Sequence, residues 1–309
     1  MTKFFKFMSM AVIVATTASL ASCSDDKDEP TPTPDPNPTP GTEITVDPST
    51  VFPSGVPTQV GDYVITKNAD GLVSKIVEKD GDEDYKTVTF TYGGPAASKA
   101  RSEVNIPSDY DMTMNVEWGN DEDGVDFYIT LNDKGYVEYA YEVDEDKIDG
   151  DQAEEWWFKY DGEGRMIEMK RTEGGNEVTK ITYNAAGDIT TVVTTDNDGD
   201  ESTTTVAYTD AEHKAPVANK GGMMLYDYTF TIDMDEMAPA YFAGLLGKGT
   251  ANLPLSYVEK YKNIMDSGYI DEGSYEYFCT WILDSNGMPE EFIGQNAKGY
   301  DKTEKSFKW

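Results

Sequence analysis

Two adjacent glutamates followed by two tryptophans stand out as residues that could do chemistry: Glu154, Glu155, Trp156 and Trp157. Glycoside hydrolases need two carboxyl groups about 5–10 Å apart across a cleft, and tryptophan rings stack on sugars. The chain has 58 acidic residues, so spacing cannot select a catalytic pair among them. A carboxylate-based glycan hydrolase is therefore only an alternative. The competing interpretation is the start of a strand, with Trp156 in the core and the acids in water, and we assign no catalytic residue.

An acidic turn at Asp196-Asn197-Asp198-Gly199-Asp200 offers oxygen ligands at alternating positions, as calcium loops do. If Gly199 took the glycine position of an EF-hand loop, the first and last ligand positions would fall on Thr194 and Thr205. Neither residue supplies the carboxylate that those positions need. The segment is therefore interpreted as a solvated hairpin tip, and no metal site is predicted.

The cysteines and the single histidine exclude other chemistries. Cys279 has no second cysteine to pair with, because Cys23 is assigned below to a lipid anchor, so a disulfide framework is excluded. We expect Cys279 to be a small buried apolar residue. His213 lies in a polar stretch, so no cysteine–histidine nucleophile is expected. The sequence also shows no glycine-rich phosphate loop and no metal-spaced His/Cys set, and no cofactor is predicted.

Aromatic residues are the remaining candidates for contact with a ligand. Twenty Tyr and five Trp are more than a core of this size needs. By strand alternation, Trp157 lies on the face opposite Phe158 and Tyr160, where an exposed ring is a platform for a carbohydrate or a protein. We therefore name Trp157 and its neighbour Trp156 as candidate ligand-binding residues. The alternative is that another part of the chain packs over this face.

The elements that must position these residues follow a repeat. Residues 160–166 (YDGEGRM) recur 23 positions later as 183–189 (YNAAGDI), with weaker copies at 67–73, 131–137 and 283–288. The common form is Asp or Asn, two residues and Gly, usually between apolar positions. Asp or Asn starts a turn by accepting hydrogen bonds from nearby backbone, Gly supplies a positive φ, and the alternation before each turn marks a strand. Each copy is a predicted β-hairpin, and hairpins must stack their apolar faces to be stable.

Further segments complete the prediction of the fold. Residues 87–92, 112–118 and 226–234 alternate as strands do. Residues 235–246 are predicted to be helical, and 255–265 have apolar residues at helical spacing. We predict an all-β, mostly antiparallel fold, a curved meander or open barrel of repeated hairpins. A small helical insertion near 235–266 would cover one face of the sheet as a cap or plug.

The first 22 residues are typical of an export signal. Two lysines precede an uncharged run over 7–20, which is shorter than the roughly 20 apolar residues that cross a bilayer. The run leads into Leu20-Ala21-Ser22-Cys23, which resembles the lipobox of bacterial lipoproteins, where the cysteine is acylated and the preceding residues are removed. The resemblance implies a lipid anchor at Cys23. The alternative is a plain secretory signal cleaved near Ala21 or Ser22.

The acidic run after Cys23, residues 24–29, resembles the surface-export signal of Bacteroidetes lipoproteins, and the alternative is a solvated tether. The resemblance implies a lipid-anchored protein of the outer membrane that faces the cell exterior. Residues 30–41 alternate Pro with Thr, Asp and Asn, which is typical of an extended spacer of about 3.1 Å per residue. We therefore divide the chain into a signal peptide (1–22), a lipidated cysteine with its tether (23–43) and a β-hairpin repeat domain (44–309).

Net charge limits the partners. It is −33 for the precursor and −35 once the signal and its two lysines are removed. Nucleic-acid binding needs a basic footprint, so no nucleic-acid partner is expected. Direct contact with an anionic lipid surface is also disfavoured.

The repeats resemble the YD repeats of bacterial surface and RHS-type proteins, most clearly at Tyr160-Asp161-x-x-Gly164-Arg165. The second copy departs from that pattern at Asn184 and Asp188. A closer resemblance is to uncharacterised repeat-bearing lipoproteins of gut Bacteroidetes, through the lipobox, the acidic tether, the hairpins, residues 244–248 (GLLGK) and residues 252–254 (NLP). It covers about residues 60–309 and implies a shell of β-strands with no established activity. We therefore expect a non-catalytic surface lipoprotein that binds a glycan or a protein partner of the envelope. A glycan hydrolase and a purely structural scaffold are the alternatives.

Overall fold

The predicted hairpins form the wall of a β-barrel. In a computed structural model, residues 45–81, 83–94, 106–119, 124–144, 154–172, 176–265 and 268–309 are described. They lie in one compact unit, Thr42–Trp309. Sixteen strands of this part of the chain pair in a closed antiparallel barrel, and two short strands, β13 and β14, form a separate ladder. The all-β antiparallel fold is therefore confirmed.

The strands, in chain order, are β1 Gln59–Val60, β2 Tyr63–Lys67, β3 Val73–Asp80, β4 Glu83–Tyr92, β5 Met112–Trp118, β6 Gly124–Leu131, β7 Val137–Asp144, β8 Glu154–Tyr160, β9 Met166–Arg171, β10 Glu177–Tyr183, β11 Ile189–Thr195, β12 Glu201–Ala207, β13 Val217–Ala218, β14 Asn252–Leu253, β15 Ser256–Ile264, β16 Ile270–Leu283, β17 Pro289–Asn296 and β18 Thr303–Lys308. The described helical turns are Pro48–Thr50, Tyr226–Phe230, Asp235–Met237 and Pro239–Phe242.

The sheet closes through its first and last strands. Gln59 pairs with Lys308 and Val60 with Phe307, so β1 joins β18. All other wall strands follow chain order, except that β12 pairs directly with β15. Closure removes both free edges of the sheet, which would otherwise be sites for aggregation. The sequence predicted a curved meander or open barrel, and strand alternation alone does not decide whether a sheet closes.

All five copies of the repeat form the predicted hairpin turns. In the copy at Asp161, its Oδ1 accepts hydrogen bonds from the backbone N–H of Glu163 at 2.9 Å and of Arg165 at 3.0 Å. Gly164 has a φ of +86°, which only glycine adopts without strain. The ladder shifts register beside each of these turns. In an antiparallel barrel, successive turns lie at alternate ends. The five repeat turns follow β2, β6, β8, β10 and β16, which all run in the same direction. All five therefore lie at one end of the barrel, which we call the repeat end.

The connection between β12 and β15 enters the barrel, and we call its residues 219–253 the lumenal segment. It touches inward-facing groups from strands all around the wall. Val137 donates its N–H to the carbonyl of Leu245 at 2.8 Å, and Arg171 pairs with Asp233 at 3.1 Å. On other strands, Tyr63 packs against Phe242, and Lys305 lies over the Tyr228 ring. The segment and the inward side chains form one apolar core, in which each fully buried large apolar side chain stabilises the fold by roughly 1.5–3 kcal/mol.

The predicted insertion near 235–266 is correct in its first half and wrong in its second. Residues 255–265 were expected to be helical, but they form strand β15, which pairs with β12 and β16. The strand predicted over 226–234 contains the short helix Tyr226–Phe230, which ends where Thr231 takes a φ of +52°. The helix predicted over 235–246 shrinks to Asp235–Met237 and Pro239–Phe242, because Gly244 turns the chain with a φ of +81°. The insertion also fills the lumen rather than covering a face of an open sheet.

The outer wall of the barrel is mostly polar, although Val64, Phe278 and Ile282 are exposed apolar residues on it. Outward positions alternate with the buried ones and carry threonine, lysine and glutamate on most described strands, for example Thr89, Lys180, Lys260 and Glu276. No helix in the described part of the chain has the length and apolar character needed to cross a membrane.

Candidate functional site

An aromatic patch interrupts the polar outer wall on β7 and β8. It consists of Tyr139, Tyr141 and Trp157. Tyr139 and Trp157 are directly opposite each other in the ladder, with ring centroids 5.7 Å apart and planes tilted by 49°. Trp157 is 37 % exposed. The face was expected to be either free or covered by another segment, and the structure leaves the Trp157 ring open to water.

Polar groups surround these rings at hydrogen-bonding positions. The Tyr139 hydroxyl donates to Oε2 of Glu155 at 3.1 Å. Partial burial, and then the negative charge of Glu155, raise the pKa of the Tyr139 hydroxyl, so it remains protonated. Lys170 lies opposite Trp157 on the other side, on β9. The two rings can contact an apolar surface of a partner, and the carboxylate and ammonium beside them can bind its hydroxyl groups.

The second predicted ligand residue, Trp156, points the other way. It is 1 % exposed, and its Nε1 donates to Oε2 of Glu142 at 2.6 Å. Its ring stacks on Phe158 at 6.2 Å, and the Arg171 guanidinium lies 5.5 Å from its centroid. Trp156 is therefore a core residue that cannot touch a ligand on the outer wall. Only Trp157 remains as a candidate contact.

The two glutamates of the hydrolase alternative do not converge. Glu154 and Glu155 are consecutive residues of β8, so their side chains project to opposite faces of the wall. Glu155 lies on the outside with Tyr139, whereas Glu154 lies on the lumenal face with Trp156. A carboxylate pair acting on one bond must face one cleft, and this pair does not.

The acidic turn at 196–200 is one more hairpin tip. Oδ1 of Asp196 accepts from the backbone N–H of Asp198 and of Asp200, both at 2.9 Å, as the Asp and Asn side chains of the repeat turns do. Oδ1 of Asp200 accepts from the backbone N–H of Ile264. Within the described ranges, no three His, Cys, Asp or Glu side chains are grouped to hold a metal ion.

Cys279 and His213 occupy different environments. Cys279 is buried on β16, and this burial raises the pKa of its thiol to about 12, so the reactive thiolate is suppressed. His213 lies in an exposed turn with its Nδ1 3.1 Å from Oδ1 of Asp210. Neither residue has the surroundings of a nucleophile.

A cavity inside the barrel was not predicted. It has a volume of about 230 Å³ and lies between the lumenal segment and strands β1, β2, β3 and β18. It borders the β1–β2 turn at Asp62, at the end of the barrel opposite the repeat turns. The sequence did contain a signal for it. Three charged residues fall at the inward-facing positions of their strands, where the alternation otherwise places apolar residues. They are Glu78 in line with Ile76, Lys86 in line with Val88, and Lys305 in line with Phe307.

The fold defines the class of this protein as a closed antiparallel β-barrel with an occupied lumen. The chain belongs to the family described as a domain of unknown function (DUF4595) with porin-like fold, which matches residues 74–290. It is similar in fold to a porin-like protein from Bacteroides uniformis ATCC 8492, with a TM-score of 0.51, 16% identity, and coverage of 80% of this chain and 87% of that one. It is also similar in fold to a porin-like protein from Bacteroides vulgatus ATCC 8482, with a TM-score of 0.50 and 15% identity. That match covers 82% of this chain and 98% of that one. No curated protein matches the chain in sequence.

This family assignment agrees with the predicted resemblance to an uncharacterised family of β-strand proteins from Bacteroidetes. The predicted resemblance to YD repeats is not among the matches. Cys23 and the tether lie outside the described residues. The lipid anchor therefore stays a prediction.

Proposed function

We propose that this protein is a non-catalytic, lipid-anchored protein of the cell surface that binds a glycan on its aromatic patch. The observation that carries the proposal is the Tyr139–Trp157 pair, two facing rings on the outer wall with Glu155 and Lys170 beside them. Sugar rings present an apolar face and a rim of hydroxyl groups. The two aromatic rings fit the apolar face, and Glu155 and Lys170 fit the hydroxyls.

The size of the patch favours a glycan over a folded protein partner. Stable protein interfaces bury about 800 Å² on each side, with an apolar centre. Here the exposed aromatic surface is limited to the ring pair and the half-buried Tyr141. Tyr128, opposite Tyr141 in the ladder, is buried against Tyr110, and the neighbouring outward positions of Thr130 and Lys170 are polar. Such a surface suits a narrow chain that lies along the wall.

The outer wall supports a barrel held in water rather than embedded in lipid. Membrane barrels present an outward apolar band about 25 Å tall. In this protein Lys180, Lys260 and Glu276 face outward from the middle of their strands. Attachment to the outer membrane would then depend on the lipid at Cys23, with the proline-rich tether holding the barrel outside the cell.

The binding proposal is tested on the purified domain, residues 44–309, with a polysaccharide array followed by calorimetry on any hit. Trp157→Ala should weaken binding by at least tenfold and leave the fold intact, because an exposed cross-strand pair contributes only about 0.2–1 kcal/mol. Phe278→Ala is the matched control, since Phe278 is 41% exposed on the outer face of β16, six strands away around the barrel. Equal loss in both variants, or unchanged affinity in Trp157→Ala, would reject the patch as the site. Release of shorter sugars on the same plates would reject the non-catalytic assignment.

The anchor is tested in cells. Cys23→Ala should abolish incorporation of labelled palmitate and move the protein out of the membrane fraction. Protease added to intact cells should digest the wild-type domain if it faces outward. Retention of the variant in the membrane fraction would argue against lipid anchoring, and protection from protease would place the domain on the inner side.

A further inference from the structure

Strand β16 extends past its neighbour β17 at the end of the barrel opposite the repeat end. β17 pairs with residues 277–283 of β16, whereas β15, on the other side, pairs with residues 270–278. One further bond, from the N–H of Ala297 to the carbonyl of Glu276 at 3.1 Å, closes the contact on the β17 side. Among the residues that the structure describes, 270–275 therefore have a ladder partner on one side only.

The backbone groups on the open side can be assigned from the ladder bonds. Successive residues of an antiparallel strand direct their N–H and C=O groups to alternate sides. Cys279 donates its N–H to the carbonyl of Leu255, on the β15 side, at 2.8 Å. The odd-numbered residues of β16 therefore bond toward β15. The N–H and C=O groups of Ile270, Glu272 and Ser274 point to the open side, where no backbone hydrogen bond within the described ranges reaches them.

The open edge is regular and acidic. Natural sheets protect such edges with lysines, prolines, β-bulges or other charges. Residues 270–276 contain no lysine and no proline, and their pairing with β15 continues to Ile264 without a change of register. Charge is the protection that remains, from Asp271, Glu272 and Glu276. An edge guarded in this way rejects an acidic strand and accepts a basic one, because like charges placed opposite each other are unfavourable.

The side chains beside the edge define which strand fits. On the outer face, Lys262 of β15 lies opposite Glu272, so a cation in the added strand would continue a row of alternating charge. On the inner face, Asp271 lies opposite the neutral Asn263, and a second cation would supply its counter-charge. Ile270 is 47% exposed, which favours an apolar residue opposite it. In antiparallel pairing, the segment that fits has two successive basic residues followed by an apolar one.

We propose that the open edge of β16 binds an extended, basic segment of a partner protein as an added antiparallel strand. In strand addition, main-chain hydrogen bonds provide affinity and alternate side chains provide selectivity. A second copy of this chain is a poorer occupant, because each copy carries a large negative net charge and the two would repel each other. The site lies six strands from the aromatic patch and does not depend on the proposed glycan binding.

The test is calorimetric titration of the purified domain with a synthetic peptide, acetyl-Val-Thr-Val-Lys-Lys-Val-amide. We expect saturable binding of one peptide per chain, with the two lysines opposite Glu272 and Asp271. The same peptide with glutamate in place of both lysines should not bind. Two N-methylated peptides test the strand geometry. Methyl groups on the amides that face β16 should abolish binding, whereas methyl groups on the alternate amides, which face away, should leave the affinity within about twofold.

Variants of the edge test the same geometry from the protein side. Ser274→Pro removes an N–H that points to the open side and leaves the bonds to β15 in place, and proline is tolerated at such edge positions. It should weaken binding by about tenfold, and its matched control Ser274→Ala should bind like the wild type. Glu272→Lys should also weaken binding, by about fivefold. Glu290→Lys, at an exposed position of β17 near the repeat end, controls for the general attraction of an acidic protein and should leave the affinity unchanged.

Amide hydrogen exchange, measured by NMR, gives an independent readout, because the N–H groups of Ile270, Glu272 and Ser274 should become protected when the peptide binds. Three results would overturn the proposal: no saturable binding, equal binding of the two N-methylated peptides, or unchanged affinity in Ser274→Pro. Circular dichroism checks the fold of each variant. The N-methylated pair is measured on the wild type, so it decides the question even if Ser274→Pro folds poorly.

A second copy as the occupant is tested by sedimentation. A dimer of the domain that Ser274→Pro disrupts would assign the edge to another copy of this chain and would also overturn the proposal. Trp157→Ala should bind the peptide like the wild type, and the edge variants should keep any glycan binding. Failure of one site is therefore distinguishable from failure of the other.

Discussion

The carboxylate of Asp188 accepts two hydrogen bonds from Asn252, one from its backbone N–H at 2.8 Å and one from Nδ2 at 2.9 Å. Asp188 follows Gly187 in the repeat turn between β10 and β11, and Asn252 begins β14 in the lumenal segment. The carbonyl of Gly187 also accepts from the N–H of Ala251 at 3.2 Å. A turn of the wall therefore fixes the segment that fills the barrel.

Replacing Asp188 with alanine should destabilise the protein by about 2–4 kcal/mol. Asp188 is 2% exposed, so its loss leaves two donors of Asn252 without an acceptor, and each unsatisfied donor costs at least about 1 kcal/mol. Urea unfolding followed by tryptophan fluorescence measures the change. Asp133→Ala, at an exposed tip of another repeat turn, should shift the free energy of unfolding by less than about 0.5 kcal/mol. Similar losses in the two variants would contradict the anchoring role of Asp188.

Two glycines of one turn provide a matched pair. Gly164 has a φ of +86°, and a Cβ there would lie 2.9 Å from Cε2 of Tyr136, whereas a Cβ at Gly162 would meet nothing within 4 Å. Gly164 also accepts from the N–H of Lys248 at 2.9 Å. We expect Gly164→Ala to lower the free energy of unfolding by about 1–3 kcal/mol and Gly162→Ala to leave it nearly unchanged. A thermal scan of the three proteins decides this, and equal midpoints would refute the claim.

The turns were predictable because they depend on local chemistry. An Asp or Asn that bonds the following backbone and a Gly with positive φ specify the hairpin without help from the rest of the chain. The alternation of Val88 and Phe90 likewise identified β4. At Tyr257, Tyr261 and Ile264 the spacing fitted a helix, yet β12 and β16 offered ladder partners on both sides, and pairing overrode the local pattern.

The lumen and its cavity were not predictable for a different reason. Barrel closure is decided by two residues of β1, which carry no distinguishing pattern. Most of the lumenal segment is buried, and its exposed residues, such as Asp227, Asp233 and Lys248, are scattered, so no continuous exposed face reveals its structure by its period. Trp157 was placed correctly because alternation alone determines its face. The same rule points Trp156 into the core, so its selection as a candidate ligand-binding residue went against the alternation, and the structure places it there at 1% exposure.

Arg171 links the wall to the lumenal segment through charge. Its Nε lies 3.2 Å from Oε1 of Glu177, and its other nitrogens reach Asp233 and Asp235. Arg171→Met should destabilise the protein by about 1–3 kcal/mol, because the mostly buried Glu177 loses its cation, while the more exposed Asp233 and Asp235 contribute less. Arg171→Lys should recover only part of this, since one ammonium cannot form the guanidinium fork. The unfolding midpoint in urea measures both.

An ion pair on the outer wall is the control for this effect. Nζ of Lys159 lies 2.8 Å from Oε1 of Glu168, with the lysine side chain 64% exposed. Lys159→Met should change the free energy of unfolding by less than about 1 kcal/mol. If Arg171→Met cost no more than Lys159→Met, the central role of Arg171 would be refuted.

Glu236 should make stability fall as pH rises through the neutral range. Burial, and then its hydrogen bond to Asp235 and the charge of Asp235, raise the pKa of Glu236 to about 8 from its ordinary 4.5. The folded protein therefore holds a proton that the unfolded chain releases near pH 4.5. The stability that this bound proton provides is fully present below the unfolded-state pKa of 4.5. It is lost as the pH rises through the folded-state pKa of about 8.

The slope that one such proton produces is at most about 1.4 kcal/mol per pH unit. Glu236→Gln is neutral at every pH, so its free energy of unfolding relative to the wild type should increase between pH 5 and pH 8. Glu163→Gln, at an exposed hairpin tip, controls for the loss of one carboxylate from an acidic protein and should show no such trend. Urea titrations of the three proteins at both pH values test this. A constant difference between Glu236→Gln and wild type would mean that Glu236 is already ionised at pH 5 in the folded state, and the proposed proton linkage would then be wrong.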